Sequence, residues 1–222
     1  KDMMKRLLRD AGIPIARFMV VHDGEKLAYK KAVAALGSPF FIKPANLGSS
    51  VGINKVRNAT EFLPALRHAF RYDRKILLEE CIVGREIECS VLGNDNPIAS
   101  GPGEITTTHE FYSYEAKYID EHGAQLIIPA KLPKTTVGKI QGLAIKTFKT
   151  LSCEGLGRVD FFLKKNGTII VNEINTMPGF TAISMYPKLW GASGISYAKL
   201  IDILIQLAIE RFEKEQKLRT TN

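Results

Sequence analysis

Two carboxylates, an arginine and an asparagine stand where a hairpin would bring them together. Between Gly157 and Asn175, two β-branched and aromatic runs flank Lys165-Asn166-Gly167-Thr168. Asn-Gly is the strongest short hairpin signal and favours a two-residue type I′ turn. With Asn166 and Gly167 as the turn, Lys165 faces Thr168 and the pairing continues without a break. Asp160 then lies across from Glu173, and Arg158 across from Asn175. Strand parity puts all four side chains on one face. Directly opposed carboxylates sit only about 5 Å apart and destabilise a sheet unless something positive lies between them. Oxygen donors from Asp160, Glu173 and Asn175, with no His or Cys in the stretch, point to magnesium or manganese. A solvated polar face on an ordinary hairpin is the plain alternative. Everything depends on register, because a slip of one residue sends Asp160 and Glu173 to opposite faces.

A second group of residues suits phosphate. The segment Lys43-Pro44-Ala45-Asn46-Leu47-Gly48-Ser49-Ser50-Val51-Gly52 joins two expected strands. Its backbone N–H groups and two hydroxyls can surround phosphate oxygens without a helix terminus, and the Lys43 ammonium can reach the same oxygens. Neither G-x-x-x-x-G-K-[ST] nor a strand–G-x-G-x-x-G–helix arrangement occurs, which excludes the two commonest nucleotide fingerprints. A tight solvent-exposed hairpin accounts for the glycines and serines equally well. Further on, Glu79-Glu80-Cys81-Ile82-Val83-Gly84-Arg85-Glu86 ends a strand on an acidic pair and continues through an apolar stretch and a turn to another glutamate. Backbone groups around Glu80 to Ile82 can read an adenine edge and Glu86 can take ribose hydroxyls. A charged hinge between two subdomains is the competing reading.

The elements that must position these residues follow from periodicity and punctuation. Residues 3–11 read as a helix with Asp2 as N-cap and Met3, Met4, Leu7, Leu8 and Ala11 as its apolar spacing, stopped by Gly12 and Pro14. Strands are expected at 16–21, 40–43, 52–56 and 76–81, with helices at 25–36 and 60–70, the latter capped by Thr60 or Asn58. Residues 17–82 thus form a β-α-β-β-α-β unit. A new sheet begins at Glu86 and runs to Gly103, with a turn at Asn94-Asp95-Asn96-Pro97. The polar, aromatic segment 106–124 has the length and irregularity of a lid. Helices at 135–151 and 196–213 flank the hairpin, the last with Leu200, Ile203, Leu204, Leu207 and Ile209 on its apolar face.

Composition bounds the rest. With 222 residues, 45% hydrophobic and 24% charged, the chain has ample material for one large or two smaller folded units. No apolar run approaches the ~20 residues of a transmembrane helix, and no signal peptide is expected. Cys81, Cys89 and Cys153 are too few and too scattered for a disulfide framework or a zinc site, which suits a reducing, cytoplasmic setting. The net charge of +8 needs anionic partners or a basic surface, but there is no basic–aromatic signature of an RNA-binding sheet. Single lysines beside glycines or within strands suit a phosphate pocket better than a nucleic-acid track. His22, His68, His109 and His122 show no pairing pattern, and Trp190 reads as packing. The chain lacks an initiator methionine, as a fragment of a longer protein would.

In this order the motifs resemble the ATP-grasp superfamily. Together with Tyr112-Ser113-Tyr114-Glu115-Ala116-Lys117-Tyr118 and Asn172-Glu173-Ile174-Asn175-Thr176-Met177-Pro178-Gly179, the Gly48–Gly52 segment is similar to the D-alanine–D-alanine ligase family. The likeness runs from Lys1 to the final helix and leaves out that family's N-terminal domain. It implies an α+β fold in which two α+β subdomains clasp ATP. Residues 17–82 would be the central, lid subdomain, and 1–16 with 83–222 the C-terminal subdomain carrying the metal site. It implies an enzyme that joins two D-alanines through a D-alanyl phosphate for peptidoglycan synthesis; a D-alanine–D-lactate ligase or a non-catalytic ATP-binding module are the alternatives. Tyr118 within Glu-Ala-Lys-Tyr favours the dipeptide enzyme.

The resemblance also carries roles. Lys1, Lys43 and Lys117 match ATP-contacting lysines, and Ser49, Ser50 and Val51 the phosphate-covering loop. Glu79, Glu80, Ile82 and Glu86 match adenine and ribose positions. Asp160, Glu173 and Asn175 match the ligands of two Mg2+ or Mn2+ ions, with Glu173 bridging. Arg158 matches the arginine beside the reacting carbonyl, and Gly179, Ser184 and Met185 the site of the second D-alanine. Ser49 and Tyr118 match a hydrogen-bonded pair that orders the first substrate and the lid. Neither nucleic acid nor membrane is expected as a partner, and the family commonly forms homodimers.

Overall fold

The computed structural model describes residues 1–48, 51–107, 124–181 and 183–218. They pack as two compact units: Lys1–Gly84 in the first, Arg85–Ile105 and the residues from Leu126 onward in the second, with 106, 107, 124 and 125 grouped with the first.

In the first unit the elements are α1 (Asp2–Asp10), β1 (Phe18–His22), α2 (Tyr29–Leu36), β2 (Phe40–Pro44), β3 (Asn54–Val56), α3 (Ala59–Phe70) and β4 (Lys75–Glu80). The strands form an antiparallel sheet in the order β1-β4-β2-β3. From β1 onward this is the β-α-β-β-α-β order expected. Helix α2 starts at Tyr29 rather than residue 25, because Glu25 is held in a turn: its carboxylate accepts the His22 N–H at 3.0 Å. For α3 the cap is Asn58, whose Oδ1 accepts the N–H groups of Thr60 and Glu61 at 3.1 Å each, and not Thr60. One face of the sheet supplies Phe40, Ile42, Ile76 and Leu78 to a core completed by Ala32, Leu36, Phe62, Leu66 and Ala69. Each large apolar side chain buried there contributes roughly 1.5–3 kcal/mol.

The other sheet face departs from the hydropathy pattern. Helix α1 turns Asp2, Lys5 and Leu8 inward and leaves Met3 62% and Leu7 47% exposed, so of the expected apolar spacing Leu8 is buried while Met3 and Leu7 are not. Asp2 is the first helical residue rather than its cap. Ion pairs explain the rotation: Lys5 meets Glu79, and Asp2 meets Lys75 at 3.2 Å. Turning Met3 and Leu7 inward would leave the buried Glu79 without one of its partners, and unpaired buried charge is costly. These contacts also place residues 1–16 with the first unit, not with the C-terminal one.

The remaining elements, in the second unit except for the 106–107 end of β7 and the 124–125 end of β8, are β5 (Arg85–Gly93), β6 (Ile98–Ala99), β7 (Gly103–Thr107), β8 (Ala124–Ile127), α4 (Lys134–Thr150), β9 (Gly155–Leu163), β10 (Ile169–Asn175), α5 (Met185–Ala192) and α6 (Tyr197–Gln216). Its sheet runs β10-β9-β5-β7-β8, with β6 on β5. Strand β9 alternates strictly: Gly157, Val159, Phe161 and Leu163 are buried while Arg158, Asp160 and Phe162 are half-buried. Helix α4 contributes the buried Ile140, Ala144 and Phe148, and a Cβ at Gly157 would come within 3.0 Å of the Phe148 ring. The short α5, absent from the sequence reading, brings Tyr186 and Trp190 into a second cluster with Leu92 and Leu200. Among the described residues no single helix is long and apolar enough to cross a membrane; α5 and α6 meet that test only as a pair bent by 107°.

Candidate active site

The β9–β10 hairpin reaches the expected pairing by an unexpected route. Its loop has three residues, Lys165-Asn166-Gly167, closed by hydrogen bonds from Gly167 N–H to the Lys164 carbonyl and from Lys164 N–H to the Thr168 carbonyl, both 2.9 Å. Gly167 takes φ +82, the left-handed residue that ends a three-residue loop, so the two-residue turn is corrected. Next to the loop, Leu163 pairs with Ile169 and Phe161 with Val171. The register then shifts between Val171 and Glu173, and beyond it Asp160 pairs with Glu173 and Arg158 with Asn175. A bulge at Asn172 therefore cancels the offset introduced by the loop. It also changes which residues of β10 face the core. Val171 shares the face of Phe161, whereas Glu173 and Asn175 share that of Asp160 and Arg158. Bulges of this kind re-aim side chains beside functional sites.

On that polar face the Arg158 guanidinium donates to both Asp160 oxygens, Nε at 2.7 Å and Nη2 at 2.8 Å. Asn175 Nδ2 donates to Asp160 Oδ2 at 3.0 Å. A residue the sequence reading passed over completes the group: Glu88 on β5 pairs in register with Asp160, and its Oε2 is 2.8 Å from Arg158 Nε. The available signal was the alternation Glu86-Ile87-Glu88, which puts both glutamates on one face, but the β5–β9 pairing was not legible. Burial opposes the Arg158 charge, yet Asp160, Glu88 and Glu173 outweigh it and hold the guanidinium protonated well beyond its ordinary range.

Three carboxylates here face one guanidinium, an excess of negative charge with hard oxygen donors, and this donor chemistry fits a divalent cation. As they stand, the Asp160 oxygens are taken by Arg158 and Asn175. Among the described residues no group of three or more His, Cys, Asp and Glu side chains is already arranged to hold a metal. Glu86 lies on the same face, opposite Phe162.

Past β10, Ser184 precedes α5. Its Oγ accepts the Thr181 N–H at 3.0 Å and lies 2.9 Å from Thr181 Oγ1. Gly179 approaches so closely that a Cβ there would stand 2.9 Å from that hydroxyl. Met185 is buried and faces Gly103, so its side chain belongs to the core.

The first unit carries the other candidates. Both members of the acidic pair are engaged by cations. Glu79 accepts from Lys43 at 2.7 Å and pairs with Lys5 at 2.6 Å, while Glu80 accepts from the Arg17 backbone at 2.8 Å and its Nε at 2.7 Å. Burial works against the Glu79 charge, but Lys43 and Lys5 overcome it and lower its pKa to about 2. Backbone groups, not these carboxylates, are thus what β4 and the following residues through the half-buried Ile82 offer a ligand. Lys43 also lies 5.5 Å from the centre of the Phe41 ring. The Lys1 ammonium donates to the Leu47 carbonyl, and Val51 N–H to the Gly48 carbonyl at 3.2 Å. Gly52 has φ +71 and no room for a Cβ, which would come within 2.8 Å of Pro44 and Tyr72. Ser49, Ser50, Lys117 and Tyr118, with most of the expected lid, lie outside the described residues.

The chain as a whole is similar to known proteins. The family model described as D-ala D-ala ligase C-terminus matches residues 7–206. A D-alanine–D-alanine ligase of Oceanobacillus iheyensis is 56% identical over 100% of this chain, which spans 61% of that relative's length. The structure of the D-alanine-D-alanine ligase from Coxiella burnetii superposes with a TM-score of 0.84 at 41% identity, covering 98% of this chain and 59% of the other. The Bacillus anthracis D-alanine–D-alanine ligase complexed with ATP gives 0.81 at 28% identity, covering 97% and 67%. With an ATP-grasp, α+β architecture and a family match along nearly its whole length, the chain belongs to the D-ala D-ala ligase C-terminus family.

Proposed function

We propose that the protein is an ATP-dependent ligase that joins two D-alanines for peptidoglycan precursor synthesis. The observation that carries this reading is the polar face of the bulged hairpin, where Arg158, Asp160 and Asn175 touch and Glu173 stands opposite Asp160. The family match and the ATP complex of a relative support it.

A carboxylate does not react with an amine until one oxygen is made a leaving group. In this reading the γ-phosphoryl of ATP passes to a carboxylate oxygen of the first D-alanine, giving a D-alanyl phosphate and ADP. The amine of the second D-alanine then attacks that carbonyl, and phosphate leaves. Both steps gather negative charge on oxygen, and positioning with charge neutralisation supplies most of the rate. Arg158, locked in orientation by Asp160 and Glu88, presents a fixed positive charge to the phosphoryl and the tetrahedral oxyanion. Lys1, Lys43 and Lys117, with Ser49, Ser50 and Val51, hold the phosphates. The backbone near Glu80 and Ile82 reads adenine, and Glu86 takes the ribose. Gly179 and the Ser184 hydroxyl receive the carboxylate of the second D-alanine, with Met185 shaping the floor from the core. Ser49 and Tyr118 order the first D-alanine. Asp160, Glu173 and Asn175 would hold two Mg2+ or Mn2+ ions, which when bound neutralise the β- and γ-phosphates.

D-alanine and ATP are thus the expected small-molecule partners of a cytoplasmic homodimer that engages neither nucleic acid nor membrane. The test is phosphate release by the full-length protein with D-alanine, D-lactate and L-alanine offered in turn. Release with D-alanine alone, accompanied by dipeptide, is expected. Release only when D-lactate is added as second substrate would replace the dipeptide reading, and ATP binding without any release would make the protein a non-catalytic module.

A further inference from the structure

The ion group at the back of the first sheet places charge where hydropathy would not. Lys5 and Glu79 side chains are each only 2% exposed and Lys43 13%. Glu79 Oε2 is 2.6 Å from Lys5 Nζ, and Oε1 is 2.7 Å from Lys43 Nζ. Two ammonium groups share one carboxylate, so the group carries one positive charge in excess. Burying an ammonium is unfavourable unless it is well paired, and α1 had Met3 and Leu7 available for the same position. The sheet would be simpler with Leu in place of Lys5, but the excess charge beside Lys43 would then vanish. A lone Lys43–Glu79 pair is neutral and attracts an incoming anion weakly.

We infer that Lys5 is a positioning residue of the nucleotide-phosphate site: it neutralises the Glu79 carboxylate from behind, so that Glu79 fixes the Lys43 ammonium in place without consuming its charge. Lys5 itself touches no ligand. The inference rests on the reading of Lys43 as a phosphate-facing residue, and adds the residue that keeps its charge available to a polyphosphate.

The experiment is calorimetric binding of ATP and of adenosine to the full-length protein and to Lys5→Met and Lys5→Met/Glu79→Gln variants. Lys5→Met is expected to weaken ATP binding on the order of tenfold or more, as loss of a nearby unscreened charge implies, with adenosine affinity unchanged. The double variant leaves Lys43 charged and unopposed, so it should recover the preference for ATP over adenosine. Any weakening of adenine recognition caused by Glu79→Gln affects both ligands alike and drops out of that ratio. If ATP and adenosine weaken by the same factor in Lys5→Met, or the double variant fails to regain the ATP preference, Lys5 is merely structural. If Lys5→Met does not fold, the double variant alone decides by the same ratio. A wild-type protein that does not bind ATP would overturn the proposed function itself, which separates the two failures.

Discussion

Between Asp160 and Glu88 the Arg158 guanidinium has little freedom, and each contact has a separate origin in the chain. Asp160 sits two residues along the same strand, whereas Glu88 comes from β5. A hydrogen bond to a charged group is worth roughly 1.5–3 kcal/mol. Glu88→Gln keeps the shape and removes one charge, so kcat is expected to fall about tenfold or more while KM for ATP stays near wild type. Steady-state kinetics with both substrates varied checks this; a rise in KM with kcat intact would mean Glu88 serves binding instead of orienting Arg158. Arg158, Asp160, Glu173 and Asn175 were legible because all four lie on one hairpin, where pairing is local. Glu88 and Lys5 were not, because their partners are distant in sequence and a lone Glu in a strand or Lys in a helix looks like ordinary surface.

The elements divide in the same way. Hairpins, helix stops and the β-α-β-β-α-β order could be read from Gly, Pro and alternation, since these act over a few residues. The loop type was misread because Asn-Gly suits both a type I′ turn and the last two positions of a three-residue loop. The site survived that error only through the compensating bulge at Asn172. Gly167 gives a clean test of the loop. A Cβ there would meet nothing within 4 Å, so Gly167→Ala is penalised by its φ of +82 alone. That amounts to about 1–2 kcal/mol, and at this chain length each kcal/mol lowers Tm by roughly 2–4 °C. A thermal melt should show that drop with kcat unchanged, because the proposed site residues are at the far end of the hairpin. Lost activity at unchanged Tm would mean that loop and site are coupled. Helix α1 was placed but rotated wrongly: its apolar spacing is real, yet two ion pairs outweighed it.

Across the whole molecule, acid should act unequally. Glu79 falls from 4.5 to about 2 because Lys43 and Lys5 outweigh its burial. Asp2 and Asp73 are also lowered despite burial, by Arg6 and Lys75 in one case and by backbone N–H groups of Lys75 and Asn46 in the other. All three lie in the first unit. A carboxylate with a depressed folded pKa contributes stability that is complete above its unfolded value and disappears as pH falls through the folded one. For Glu79 that window runs from about 4.5 down to about 2. Hydrogen exchange followed by mass spectrometry, corrected for intrinsic rates, should show protection lost in residues 1–84 before the second unit as pH drops through this range. Simultaneous loss in both units would contradict it. The inward-facing Lys5 has one more consequence, which concerns engineering. Buried ion groups replaced by well-packed apolar side chains often gain roughly 1–4 kcal/mol. Selection for heat resistance alone would therefore drift toward a greasy substitute at Lys5, and if Lys5 positions the nucleotide-phosphate site the hardier variants would be poorer at gripping nucleotide. Thermostability and ligand capture would then pull on Lys5 in opposite directions.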